Sequence, residues 1–399
     1  MLYALAGAFL VLSPLSLTAT AVQEPAKWAR LGVTILLVFV GLTRRNRPFG
    51  IATSAITSFA VVYILAAVWS DLPHWGIFYK GMFGLTFMSG VMLVYTLTNA
   101  NQFARGVRFL SMVSAGVAVL TFIFYFRNPS ASAEQNRMAL LGLNANTVGA
   151  TSAGLAMLTM YLAFHDKNGR WRSLAMATTL LLGIVILGSG SRGSLLMVLA
   201  GSLFIVVPFT RRPGLLAICI VGAGSIGYFT IEVFGFAGAE RMISETDSNR
   251  EGIWGFAWRN FQQSPAIGQG WLHYGKQTAN VQSCYLQVLA ETGIFGSVIL
   301  AIALLLTGLQ ANRARLAIRQ CTSVFTPTYL AAGLTFAVLL HGVFESATFS
   351  GPSINALLLG IGVAMLDRTP EFATHVQSAD LSRHVYTVYR VRTLANATE

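Results

Sequence analysis

The sequence predicts an all-α polytopic membrane protein of about 12 transmembrane helices, with one long structured loop on the outer side between spans 9 and 10. Composition is the first reason: 54% of the 399 residues are hydrophobic, 11% are charged, and the mean hydropathy is +0.62. Soluble globular chains carry about 25% charged residues. These values exclude a soluble enzyme of this length, and the recurring apolar runs exclude a disordered chain.

The placement of the basic residues is the second reason. A net charge of +12 would suit a nucleic-acid-binding protein, but Lys and Arg lie almost wholly in short breaks between apolar runs. That placement is typical of the loops of a membrane protein and leaves no continuous DNA-binding face. We therefore expect no nucleic-acid partner.

Hydropathy and charge together predict the spans and their orientation. A helix needs about 20 mostly apolar residues to cross a bilayer. With the N-terminus inside, the inner connections and the tail hold 17 Lys or Arg residues and the outer connections hold 9, which predicts that both termini are cytoplasmic. The expected spans are residues 2–22, 28–43, 50–69, 76–97, 109–126, 147–164, 173–188, 194–209, 214–236, 292–310, 327–345 and 351–366.

We expect a single transmembrane domain, residues 1–366, which includes the outer loop 237–291 and is followed by a cytoplasmic tail, 367–399. The three cysteines fall in different regions of the chain, so the sequence provides neither a disulfide framework nor a metal cluster. A loop as long as 237–291 in a compact membrane protein usually has a function.

The outer loop carries local helix signals. Ser248 and Glu251 have the spacing of a capping box, and aromatic residues follow at three- and four-residue steps. This pattern predicts a short amphipathic helix from near Asn249 to near Pro265. A turn at residues 268–270 should precede a second helix that runs into the tenth span.

A Gly-Ser-Gly-Ser-Arg-Gly segment, residues 188–193, joins spans 7 and 8 on the outer side. Only 39 residues separate Arg172 from Arg211, and they must cross the bilayer twice. The connection has no slack, which places Arg192 at or slightly below the outer surface. A charge held at that depth is costly and indicates a function.

Several short motifs follow one another around this loop. They are Ser191-Arg192-Gly193, Arg250-x-x-x-Trp254, Pro265-x-x-Gly268-x-Gly270, and Gln282-Ser283-Cys284-Tyr285-Leu286 leading to Glu291-x-Gly293-x-x-Gly296. In their order and placement they resemble the core of the O-antigen ligase and O-unit polymerase family. Asn146, before the sixth span, fits the same resemblance.

The resemblance implies a glycosyltransferase on the periplasmic face of the bacterial inner membrane. Its donor would be a glycan on undecaprenyl diphosphate, and its acceptor another lipid-linked unit in a polymerase or the lipid A core in a ligase. Of the two, we expect the polymerase of a surface polysaccharide. The partners are then the lipid-linked glycan, the bilayer and other membrane proteins of polysaccharide assembly.

The resemblance also implies the site residues. Arg192 and Arg250 match family arginines that hold the donor diphosphate. A guanidinium forms bidentate, charge-assisted contacts to phosphate and stabilises the leaving group, so we expect neither a metal nor another cofactor. Gln282 completes the candidate catalytic set. The candidate substrate-binding residues are Lys80, Asn146, Ser191, Arg241, His273, Ser283 and Glu291.

Gln282 departs from the family pattern, because ligases typically have histidine at this position, and glutamine cannot act as a general base. Three alternatives are open: Gln282 only orients the acceptor, another outer residue such as His273, Glu251 or Glu291 takes the proton, or polymerase chemistry needs less base assistance. Elsewhere, His341 and Glu345 are four residues apart on one helix face and are candidates for a pair.

A transporter or flippase of lipid-linked glycans is the competing class. It would predict an inverted repeat, broken helices and ionisable residues near the bilayer midplane. The sequence has no convincing internal repeat and gathers its charges toward one face. This pattern favours chemistry at a surface over passage through the membrane.

Overall fold

The computed structural model describes residues 2–15, 23–45, 47–97, 100–127, 133–134, 137–138, 145–206, 249–274, 277–278, 281–319, 327–349, 351 and 353–373. Within them the chain forms twelve α-helices. They are α1 (Leu2–Leu15), α2 (Gln23–Arg44), α3 (Ile51–Ala66), α4 (Pro73–Tyr95), α5 (Ala100–Arg127), α6 (Ala145–His165), α7 (Gly169–Ser189), α8 (Arg192–Val206), α9 (Asn249–Gln263), α10 (Cys284–Arg319), α11 (Pro327–Phe344) and α12 (354–373).

Two short 3-10 helices, Ala67–Trp69 and Ser346–Thr348, and two pairs of very short antiparallel strands complete the described secondary structure. β1 (Ala133–Glu134) pairs with β2 (Arg137–Met138), and β3 (His273–Tyr274) pairs with β4 (Gln277–Thr278). Both pairs lie in connections between helices, so the class is helical, as predicted.

Eight helices are long and apolar enough to cross a membrane: α2, α3, α4, α5, α6, α7, α10 and α11. Helices α1 and α8 are apolar but shorter. The protein is therefore a polytopic membrane protein. The ninth predicted span, 214–236, lies outside the described residues, so the count of twelve spans remains a prediction.

Several helices extend beyond the apolar runs that predict them. Helix α5 begins at Ala100, so Arg105 and Arg108 lie on a helix and not in an inner connection. Helix α10 has 36 residues, which corresponds to about 54 Å, whereas the hydrocarbon core is about 30 Å thick. The physical reason is that helical hydrogen bonds continue wherever good helix formers such as Arg follow the apolar segment.

Helix α12 occupies the centre of the bundle. Residues 354–366 are all buried, as expected for a helix that is apolar on every side. A Cβ on Gly90 would overlap the carbonyl oxygen of Leu357, and a Cβ on Gly360 that of Phe87, so only glycine permits this crossing of α4 and α12. Further close approaches join Leu358 to Gly154 on α6, Gly362 to Thr335 on α11, and Leu366 to Gln310 on α10.

Further helix pairs pack beside these contacts. Helix α6 packs on α7 and α8, α8 packs on α11, and α3 packs on α4 and α10. Large apolar side chains on the outside of the bundle remain exposed, as a lipid-facing surface requires. Examples are Phe39 on α2, Leu203 on α8, and Phe295 and Leu305 on α10.

Polar contacts close the end of the bundle where α6 meets α7 and α12 ends. This end is called the inner end below, and the opposite one the outer end, after the orientation that the sequence predicts. The Arg108 guanidinium donates to both carboxylate oxygens of Asp166, at 2.6 and 2.7 Å. Burial alone would raise the pKa of Asp166, but the hydrogen bonds from Arg108 and from the Asn168 N–H hold it below its usual value.

Helix α12 continues past the predicted span end at residue 366, and the added residues take part in the fold. Asp367 accepts from the N–H groups of Ala52 and Thr53, at 3.2 and 2.8 Å, and so caps the start of α3 from a distance. Arg368 donates to the carbonyl oxygens of Val94 and Leu97 at the end of α4.

Candidate functional site

The connection between α7 and α8 is a tight turn at the outer end of the bundle. Gly190 has a left-handed backbone (φ 61°) and ends α7, as a C-terminal glycine does. The Ser191 hydroxyl lies 2.7 Å from the Ser194 hydroxyl, and the Ser191 carbonyl accepts from the Leu195 N–H. Ser191 is thus buried at the start of α8, and Arg192 is the half-buried first residue of that helix.

The start of α6 packs directly against this turn. A Cβ on Gly149 would lie 2.5 Å from the Ser189 hydroxyl oxygen and 2.8 Å from the Ser191 Cβ, so glycine is needed there. Asn146 is one helical turn earlier on α6 and is half-buried. The fold therefore gathers Asn146, Ser191 and Arg192 at the outer end.

Helix α11 contacts both the α7–α8 turn and the start of α10. On one side, a Cβ on Gly193 would lie 3.5 Å from the Cδ2 atom of His341. On the other side, the Tyr285 hydroxyl donates to the carbonyl oxygen of Leu339 at 2.8 Å. The two motif segments, 191–193 and 282–286, thus contact the same outer end of α11.

Gln282 precedes α10 in an unusual backbone conformation. Its φ is 53°, and no other non-glycine residue in the described part of the chain has a positive φ. A left-handed non-glycine residue costs free energy and often occurs at functional sites. The next residue, Ser283, is buried and caps α10, because its hydroxyl accepts from the Leu286 N–H and its carbonyl from the Gln287 N–H.

The glycine motifs of the outer loop form one packing contact. Gly268 and Gly293 both have positive φ, and a Cβ on either would overlap the backbone of the other segment. The Ile294 N–H donates to the Pro265 carbonyl at 2.8 Å, and the Gly270 N–H donates to the Glu291 carbonyl at 3.0 Å. Gly293 also kinks α10. The turn itself lies at residues 265–267, directly before the predicted position. Residues 268–270, called the glycine turn below, contain two left-handed glycines and join the loop to α10.

A buried charged network lies beneath this contact. The Lys80 ammonium forms an ion pair with the Glu291 carboxylate, and both side chains are only 1% exposed. The Tyr63 hydroxyl donates to Glu291 Oε2 and accepts from Lys80. The other carboxylate oxygen, Oε1, accepts from the Leu272 N–H at 3.1 Å and from the Gln287 amide at 3.0 Å. The network therefore ties α3, α4, α10 and the outer loop together.

Aromatic contacts join this network to the rest of the outer end. The rings of Tyr79 and Trp271 stack with their centroids 5.5 Å apart, next to the glycine turn. Phe349, which follows α11, has its ring against those of Phe59, Phe83 and Tyr285. Tyr285 belongs to the motif at the start of α10. One contiguous apolar core therefore lies beneath both the buried charged network and this motif.

Comparison with protein families relates part of this arrangement to a known family. Residues 177–301 match the family model described as O-antigen ligase. Over this segment, which is less than half of the 399 residues, the chain is similar to an O-antigen ligase domain. Members of this family are glycosyltransferase-like enzymes. A search of curated proteins finds no match to the chain.

The matched segment, called the O-antigen ligase domain below after the family model, includes the α7–α8 turn, α9, the glycine turn and the first half of α10. Helix α9 spans Asn249–Gln263, which confirms the predicted amphipathic helix. It packs on α10 through a small apolar cluster that contains Ala257, Leu272, Val281 and Ala290. Arg250 lies in the first turn of α9 and His273 in β3, but their side chains, like all of Arg241, lie outside the described residues.

Three residues of the outer end are missing from the predicted site: Tyr63, Gln287 and Asn355. Gln287 has a signal, since it lies one helical turn before Glu291. Tyr63 and Asn355 have none, because their partners lie on other helices, where helical spacing gives no signal. Among the described residues no three His, Cys, Asp or Glu side chains are placed to hold a metal ion, and independence from metal remains a prediction.

Proposed function

We propose that this protein is a glycosyltransferase of the bacterial inner membrane that polymerises undecaprenyl-diphosphate-linked oligosaccharide units of a surface polysaccharide on the periplasmic face. One observation carries the proposal. The O-antigen ligase domain contributes two motif segments, Ser191–Gly193 and Gln282–Leu286, and both contact the outer end of α11. A donor bound at the turn would then lie near the start of α10.

The reaction needs a site that stabilises a leaving group. The acceptor hydroxyl oxygen forms a bond to the anomeric carbon of the donor glycan, and the bond from that carbon to the phosphate oxygen breaks. Undecaprenyl diphosphate leaves with the bonding electrons, and the hydroxyl proton passes to a base or to water. Arg192 and Arg250 would stabilise the charge that develops on the diphosphate, as paired guanidinium groups can.

The geometry favours one of the three alternatives for Gln282. Glu291 is an unsuitable base, because its carboxylate accepts from Lys80, Tyr63, the Leu272 N–H and Gln287. Gln282 stands in a strained conformation directly before the capped start of α10. This supports a role in which its amide orients the acceptor by hydrogen bonds, without taking the proton.

A ligase that transfers a finished lipid-linked glycan to the lipid A core is the second candidate. The description of the family model as O-antigen ligase favours it. A flippase is the candidate of another class. Gln282 stands where ligases typically have a histidine. This difference favours the polymerase over the ligase, because a ligase of the usual kind would need the histidine as its general base.

The glycolipids of a deletion strain test the proposal. A polymerase deletion should accumulate single lipid-linked units on the periplasmic face, and wild-type protein expressed in that strain should restore long chains. Accumulation of long lipid-linked chains would overturn the proposal in favour of the ligase. Single units confined to the cytoplasmic leaflet would overturn it in favour of a flippase.

Cysteine labelling tests the orientation on which the proposal depends. In a background without the native cysteines, Gln262→Cys on exposed α9 should react with an impermeant maleimide in intact spheroplasts. The matched control, Asn312→Cys on the exposed inner part of α10, should react only after the membrane is opened. The reverse pattern would invert the topology and remove the periplasmic site.

A further inference from the structure

The outer ends of α11 and α12 hold buried polar atoms that the protein itself does not satisfy. His341 Nε2, Asn355 Oδ1 and Thr348 Oγ1 find no hydrogen-bond partner among the described residues. The three side chains are 0%, 3% and 0% exposed. A buried polar atom without a partner costs about 1–3 kcal/mol, so such atoms usually have a reason to be there.

Asn355 determines which hydrogen-bonding role His341 can play. The Asn355 amide nitrogen lies 3.3 Å from His341 Nδ1 and donates to it. In a neutral imidazole that accepts at Nδ1, the proton resides on Nε2. The Nε2 atom is therefore an N–H donor that has no acceptor among the described residues.

The ring edge that carries this donor lies against the start of α8. A Cβ on Gly193 would lie 3.7 Å from His341 Nε2 and 3.4 Å from the Phe344 Cβ, so the ring faces the first turn of the 15-residue helix. Gly193 directly follows Arg192. The first N–H groups of a helix have no acceptor within the helix, and its N-terminal end attracts anions. The start of α8, with Arg192 as its first residue, thus lies next to the ring edge of His341 that carries Nε2.

We propose that His341 is a substrate-binding residue whose Nε2–H donates a hydrogen bond to a phosphate oxygen of the diphosphate bound at the α7–α8 turn. Asn355 is the positioning residue that keeps the proton on Nε2. The inference rests on the proposed function for the identity of the ligand. No proton is transferred, because the donating nitrogen keeps its hydrogen throughout.

The variants separate donation from mere packing. His341→Gln places an amide N–H near the Nε2 position and should preserve binding, whereas His341→Leu keeps the bulk and removes the donor. Asn355→Asp reverses the pairing: the carboxylate accepts from Nδ1, so Nε2 becomes an acceptor that repels an anion. The matched control is Thr335→Val, because Thr335 Oγ1 is another buried atom of α11 without a partner in the described chain and lies away from the turn.

The measurement is binding of undecaprenyl diphosphate to the purified full-length protein, with phosphatidylglycerol as the second ligand. We expect His341→Leu and Asn355→Asp to weaken undecaprenyl diphosphate binding about tenfold or more, and His341→Gln and Thr335→Val by less than about threefold. Phosphatidylglycerol binding should be unchanged in all four. Unfolding temperatures measured on the same samples identify any variant that fails by misfolding.

Several results would overturn the inference. They are wild-type affinity in His341→Leu, equal losses in His341→Leu and His341→Gln, or a matching loss of phosphatidylglycerol binding, which would make the site one for membrane headgroups. Failure of the proposed function looks different. In that case the wild-type protein binds undecaprenyl diphosphate, responds to these variants as expected, and forms no polymer from lipid-linked units.

Discussion

Replacement of Arg192 by alanine is expected to reduce polymer formation by roughly a hundredfold, because a charge-assisted contact to the departing diphosphate contributes about 3 kcal/mol to the transition state. Arg192→Lys should fail almost as badly. Lysine keeps the charge but loses the planar fork that contacts two phosphate oxygens at once. An arginine that only reached for lipid headgroups could be replaced by lysine without loss.

The measurement is polymer length and amount in a deletion strain, with each variant at equal membrane abundance. Arg259→Ala is the matched control, since Arg259 is an exposed arginine of α9 in the same domain. It should retain wild-type polymer. Full polymer from Arg192→Ala would remove the diphosphate from the α7–α8 turn. A Gln282→Ala defect as large as that of Arg192→Ala would mean that Gln282 does more than orient the acceptor.

Removal of one member of the Lys80–Glu291 pair is expected to lower the stability of the protein by about 3–5 kcal/mol. Both groups are 1% exposed, so the remaining charge would be left without its partner in a low-dielectric interior. Lys80→Met and Glu291→Gln should each reduce membrane abundance and the unfolding temperature in detergent. The double variant should lose less than the sum of the two, because it buries no net charge and the introduced amide oxygen can still accept from the Leu272 N–H.

The double variant also separates stability from substrate binding. If it recovers both abundance and polymer, the pair serves the fold, by tying the outer loop to α3 and α4. If it recovers abundance without polymer, Lys80 has the substrate contact expected from the sequence. Lys167→Met, an exposed position at the inner end, controls for loss of a lysine in general. Single variants as stable as wild type would contradict the account of the network.

The features that sequence predicts well are local. The bounds of α9 follow from a capping pattern and a proline, and the turn at residues 188–193 follows from its glycines and from the short distance between two basic breaks. Each of these signals lies within a few residues of the structure that it specifies. The main apolar helices are predicted for the same reason, because mean hydropathy is calculated over a segment about as long as one helix.

The contacts that build the site are non-local, and sequence patterns miss them. Lys80 and Glu291 are 211 positions apart, so nothing near either residue indicates the other. His341 has a candidate partner one turn away in Glu345, yet the ring pairs with Asn355 on another helix. Hydropathy likewise assigns residues 351–366 to a span like the others and cannot show that this segment lies at the centre. The packing of the helices determines both side-chain pairs and the central position of this segment.

The central position of α12 has a consequence for how the protein is made. Translation delivers residues 354–366 after every other described helix, so α4, α6 and α11 enter the bilayer while their common partner is still being synthesised. Until then Gly90 and Gly154 present shallow backbone surfaces that lipid tails must cover. Helix α12 therefore has to insert between helices that are already in the bilayer. A chain interrupted before residue 354 would lack α12, so its inserted helices would have no common packing partner. We expect membrane quality control to remove such a product.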